Sequence, residues 1–88
     1  MYFIIAYDVS VERVNKVKSY LRTQLTWVQN SLFEGELSES RQMEVFNTLK
    51  RLIDPSSDTI TIYALPTKNS LERTDMGIKK GDSEERVI

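Results

Sequence analysis

Three features of the sequence predict an α+β fold. Two segments carry apolar residues at helical spacing. The runs around them are either continuously apolar or alternate at a period of two, and short turns join the pieces. Their order reads β-α-β-β-α-β, the ferredoxin-like arrangement, an antiparallel sheet with both helices on one face. That unit takes up residues 1–66, and residues 67–88 follow it as a C-terminal segment.

The first element, Tyr2 to Tyr7, is almost continuously apolar and rich in aromatic and β-branched residues, which suits a central strand buried on both faces. Asp8 ends it. Ser10 is placed to cap a helix, and Glu12 adds an acid to its first turn. Val14, Val17, Leu21 and Leu25 then form one apolar stripe over a helix from about Val11 to Leu25. From Trp27 to Phe33 the period changes to two, which reads as one strand with Val28 and Leu32 on one face and Trp27, Gln29, Ser31 and Phe33 on the other. Gly35 allows a bulge or bend into a short third strand ending near Leu37.

Ser38 is placed to cap a second helix with Met43, Phe46, Leu49 and Ile53 on its inner face. Asp54-Pro55-Ser56-Ser57-Asp58 has turn composition. Thr59 to Leu65 alternates as a fourth strand, with Ile60 and Ile62 opposed to Thr61 and Tyr63, and Pro66 ends it. Residues 71–78 are weakly strand-like, and the charged stretch from Gly81 onward reads as a mobile tail. Two helices cover only one sheet face. Tyr2, Ile4, Trp27 and Phe33 therefore load the other with apolar surface, which an isologous dimer would cover.

Composition narrows the chemistry. There is no cysteine and no histidine, so disulfides, thiolate metal sites and imidazole acid–base catalysis are excluded. Catalysis would rest on carboxylates, hydroxyls, amines or a hard cation held by oxygen. Twelve Lys and Arg against thirteen Asp and Glu leave a net charge of −1, so no global basic field points to nucleic acid. No run approaches the roughly 18 apolar residues of a membrane span. The N-terminus lacks the charged region of a signal peptide, so a cytoplasmic protein with no membrane partner is expected.

Asp8 is the most informative candidate, because it stands where a buried strand opens into a loop. It either caps the turn or the following helix, or it is aimed outward as a functional carboxylate. Two copies meeting at a two-fold axis can share one Mg²⁺ with several waters, and such an ion can activate water for phosphodiester cleavage. Arg13, Lys16, Lys18 and Arg22 put four cations on the first helix, flanking its apolar stripe. They suit either an ordinary solvated surface or contacts to a phosphate backbone, made without reading sequence.

Several stretches together resemble the small CRISPR-associated endoribonuclease family of spacer acquisition. They are Tyr2-Phe3-Ile4-Ile5-Ala6-Tyr7-Asp8-Val9, then Val11 to Val17 with Leu21-Arg22, then Trp27 to Leu37, which is similar to a Gln-x-Ser-Val-Phe-Glu-Gly pattern. The last is Leu52 to Pro55 followed by Asp58 to Tyr63. The resemblance runs in order over residues 2–66. It implies a ferredoxin-like homodimer in which the C-terminal segment adds a strand to the partner's sheet. It implies Asp8 paired with its symmetry mate around Mg²⁺ or Mn²⁺, as both metal ligand and catalytic carboxylate of an endonuclease on RNA or DNA. It further implies a CRISPR-associated integrase bridged by the dimer, and duplex DNA or single-stranded RNA as bound partners; Arg13, Lys16 and Arg22 are the phosphate contacts that the charge pattern of the first helix offers. Many members carry arginine where this chain has Val14, Lys16 and Trp27, a departure bearing on nuclease activity. A purely structural adaptor and a toxin-type ribonuclease of the same fold are the alternatives.

Overall fold

The computed structural model describes residues 1–77. The chain runs β1 (Tyr2–Asp8), α1 (Val11–Gln24), β2 (Thr26–Gln29), β3 (Leu32–Glu36), α2 (Glu39–Leu52) and β4 (Thr59–Leu65), followed by a single 3₁₀ turn at Lys68–Ser70. The strands form one antiparallel sheet in the order β2-β3-β1-β4, so the apolar β1 is central, as its composition requires. This is the ferredoxin-like arrangement predicted from the element order.

Alternation along β1 separates the two faces. Phe3, Ile5 and Tyr7 point into the core beneath the helices. There they meet Phe33 from β3, Val17, Leu21 and Leu25 from α1 and its end, Val45 and Leu49 from α2, and Leu37. Phe3 packs edge-on against Phe46 of α2 at 5.6 Å, and Tyr7 stacks on Phe33 at 6.2 Å. Tyr2, Ile4, Ala6 and Asp8 point to the opposite face. On β4, Ile60 and Ile62 join the core while Thr61 and Tyr63 are exposed, as their alternation predicted.

Three details differ from the sequence reading. The stretch Trp27–Phe33 is a hairpin rather than one strand. Asn30 and Ser31 form its tip, with Asn30 at φ 42°, a left-handed conformation that asparagine tolerates. The indole of Trp27 donates to the Asn30 carbonyl at 2.9 Å and braces this turn. Phe33 and Trp27 thereby face the helices, and the open face is less apolar than expected. The irregular register falls in β2 between Trp27 and Gln29, not at Gly35, which pairs regularly with Phe3. A Cβ on Gly35 would lie 2.9 Å from Cδ2 of Leu25, so glycine lets the end of α1 settle onto β3. The inner face of α2 is centred on Val45 and Leu49, flanked by Phe46, Leu52 and Ile53, and Met43 is exposed.

Both helices use serine at the N-cap position, in different ways. The Ser38 hydroxyl accepts the Arg41 amide at 3.2 Å, an ordinary side-chain cap. The Ser10 side chain makes no cap bond. Beyond β4, residues 71–77 carry no strand within one chain. They return toward the open face, where Arg73 pairs with Glu34 of β3. The predicted strand over 71–78 concerns pairing with a second copy, and its last residue and the tail from Gly81 lie outside the described residues.

Candidate functional site

Asp8 is the last residue of β1 and pairs in register with Thr59 at the start of β4. Its side chain is exposed, and among the described residues nothing hydrogen-bonds or ion-pairs with its carboxylate. It therefore does not cap the turn or α1. Tyr7, just before it, donates its amide to the Ser31 carbonyl at 3.1 Å, so the tip of the β2–β3 hairpin borders the same end of the sheet. Burial raises the Tyr7 phenol above its ordinary range, with smaller opposing effects from Ser31 and Arg22.

The carboxylate that serves the helix start is Asp58. It accepts the Ser10 amide at 3.0 Å, the Asp54 amide at 2.8 Å, and Arg13 through Nε at 2.6 Å and Nη2 at 3.0 Å. The Arg13 hydrogen bond holds the Asp58 carboxyl well below the usual carboxylate range, and the two backbone amides act in the same direction. Asp54 is lowered by the hydroxyl and amide of Ser56, each bonded to its Oδ1. In the sequence, Asp58 reads only as a turn residue, and nothing local marks it as the hub of this end of the domain.

The predicted cations are not gathered into one patch. Arg13 is half-buried and its guanidinium is committed to Asp58 and Ser57. Lys16 is exposed. Arg22 lies nine positions beyond Arg13, on the opposite side of α1, with its Cζ 5.8 Å above the ring of Trp27. Asp8 and Arg13 thus share one end of the domain, while Arg22 reaches toward β2.

The family model for CRISPR associated protein Cas2 matches residues 1–73 of this chain, the whole unit that positions Asp8. The chain belongs to the Cas2 family. A protein named "CRISPR-associated endoribonuclease Cas2 2" from Archaeoglobus fulgidus is 50% identical over 88 residues, covering 100% of this chain and 96% of that one. The "CRISPR-associated endoribonuclease Cas2" of Methanothermobacter thermautotrophicus is 49% identical over 80 residues, covering 91% of this chain and 88% of its own. A crystal structure of a Cas2 protein superposes with a TM-score of 0.87 at 44% identity, covering 100% of this chain and 98% of that one. The Cas2 of Streptococcus pyogenes gives 0.72 at 25% identity, covering 85% of this chain and all of the other.

The divalent cation that the resemblance implies can be tested against the donors present. Among the described residues there is no cluster of three or more metal-ligating side chains. Asp8 offers one exposed, unpartnered carboxylate per chain. A hard, strongly hydrated ion such as Mg²⁺ uses one or two carboxylates and keeps several waters, so this donor fits as half of a shared site. It would not suit a soft or tightly caged metal.

Proposed function

We propose that this Cas2-family chain is a homodimeric subunit of CRISPR spacer acquisition that binds nucleic acid, bridges the CRISPR integrase and cleaves phosphodiester bonds of RNA or DNA at paired Asp8 residues. The observation that carries the reading is Asp8 itself. It is a carboxylate on the most buried strand of the sheet, yet exposed and free of structural partners among the described residues, in a chain whose relatives are named endoribonucleases. A carboxylate kept for stability would be bonded, as Asp58 is. Two Asp8 side chains at a two-fold axis would repel each other, and a divalent cation relieves that repulsion. When bound, Mg²⁺ would supply Lewis-acid polarisation of a phosphoryl oxygen and a more acidic bound water. Lys16 and Arg22, both exposed, then serve as phosphate contacts that position the strand without reading its bases.

The test is a cleavage assay on single-stranded RNA and duplex DNA, comparing wild type with Asp8→Asn. Cleavage in Mg²⁺, none in EDTA, and loss in Asp8→Asn with dimer and nucleic-acid binding retained are expected. Cleavage that persists in rigorously purified Asp8→Asn would overturn the assignment. A wild type with no cleavage above background, whose Asp8→Asn variant still supports spacer integration, would establish the adaptor reading instead.

A further inference from the structure

We infer that Asp58 and Arg13 are positioning residues for Asp8, an inference that rests on the reading of Asp8 as the site carboxylate. Two residues next to Asp8, one along the chain and one across the sheet, are both tied to Asp58. Ser10, two positions after Asp8, has its amide on Asp58 Oδ1 at 3.0 Å. Thr59, the ladder partner of Asp8, directly follows Asp58 in the chain. Both ways out of Asp8, forward along the chain and across the sheet to β4, therefore lead to Asp58, one through its carboxylate and one through its backbone.

That carboxylate is held in turn. Its side chain is fully buried, and the Arg13 guanidinium meets both of its oxygens, Nε with Oδ2 and Nη2 with Oδ1. The planar fork fixes an orientation that a single-point ammonium would leave free. Arg13 Nη2 also donates to Ser57 Oγ at 3.1 Å, and Asp54 donates its amide to Asp58 Oδ2. The start of α1 and the α2–β4 turn are thus tied into one rigid block beside the end of β1. A buried ion pair is a weak source of stability, since well-packed apolar side chains in its place are often neutral or better. Besides the stability it brings while both partners are charged, this pair fixes geometry, and the geometry it sets is that of the Asp8-Val9-Ser10 connector. Arg13 accordingly belongs to the site's support, and its charge is neutralised by Asp58 before any phosphate arrives.

The test measures Mn²⁺ binding to the full-length protein by electron paramagnetic resonance, amide exchange at Ser10, single-turnover cleavage, and the salt dependence of duplex binding. The variants are Asp58→Asn, Arg13→Gln and Arg13→Lys, with Asp8→Asn as the reference. Asp58→Asn and Arg13→Gln should weaken Mn²⁺ binding by about 10–100-fold, as loss of outer-shell support does at metal sites. Arg13→Lys should fall between them and wild type. The salt slope of duplex binding should not change in any of the three. If Asp58→Asn does not fold, Arg13→Lys gives the same reading with the charge kept. Faster Ser10 exchange with Mn²⁺ affinity and cleavage rate within twofold of wild type would overturn the inference, leaving the pair a stabilising contact only. A salt slope lower by about one in Arg13→Gln would make Arg13 a phosphate contact and overturn it too. Mn²⁺ binding that Asp8→Asn does not weaken would overturn the Asp8 reading itself, and the inference with it.

Discussion

Arg73→Ala tests whether the C-terminal segment is part of the folded unit. Glu34 lies on the open face of β3, between Ile4 of β1 and Thr26 of β2, and is only 8% exposed. Arg73 Nη1 pairs with its carboxylate, close enough to Tyr2 for the Glu34 charge to act on its phenol. Burial, then the nearby charge of Glu34, raise the Tyr2 phenol. Tyr2 itself is buried although the helices lie on the other face. Removing one partner of a fully buried ion pair costs about 3–5 kcal/mol. Here Arg73 is 34% exposed, so the cost should be smaller. About 2 kcal/mol is the expected loss, between that figure and the penalty of one unsatisfied buried group. For a domain of this size that lowers Tm by about 8–16 °C. Circular-dichroism melts at one protein concentration read it, because dimerisation contributes by mass action. The double variant Glu34→Gln with Arg73→Ala should recover most of the loss, since no uncompensated charge is left buried. A single variant melting within about 2 °C of wild type, or a double no better than the single, would refute the reasoning.

Other outcomes follow from the same geometry. Asp58 is depressed in the folded state, so the stability it brings is present above its unfolded pKa of about 4 and is lost as pH falls toward the lowered folded value. Melts should be level from neutral pH to about 5 and fall below about 4, and Asp58→Asn should flatten that acid limb. Gly35→Ala forces Leu25 Cδ2 aside from a 2.9 Å approach, a tip that can turn, so a loss of about 1–2 kcal/mol is expected in urea unfolding. Lys16→Ala with Arg22→Ala should lower the salt slope of duplex binding by about two, with no preference among sequences. Truncation after Leu65 removes Arg73 and uncovers Glu34, and should leave a monomer or an insoluble chain. A soluble, monodisperse dimer of that fragment would count against strand exchange.

The elements legible in the sequence are those whose patterning matches their burial. β1 is a continuous apolar run, α1 and β4 each show one dominant period, and Ser38 announces α2 by its position. The β2–β3 hairpin was hidden because Trp27, Gln29, Ser31 and Phe33 keep alternating through the turn, with Asn30 as the single sign of a reversal and no glycine or proline beside it. The inner face of α2 was misplaced because Met43 matches the helical spacing as well as Val45 does, and only the packing against β1 separates them. Asp8 could be picked out because it interrupts an apolar strand. Asp58 could not, since its partners Ser10 and Arg13 are 48 and 45 residues away in the chain. The Glu34–Arg73 pair, 39 residues apart, was out of reach for the same reason.

In the proposed dimer, two Asp8 side chains share one cation. The most direct test is the stoichiometry of Mn²⁺ bound to the purified dimer, with Asp8→Asn measured alongside. One ion per two chains, lost in Asp8→Asn while the dimer persists, is the predicted result. One ion per chain, or the same occupancy in Asp8→Asn, would contradict it.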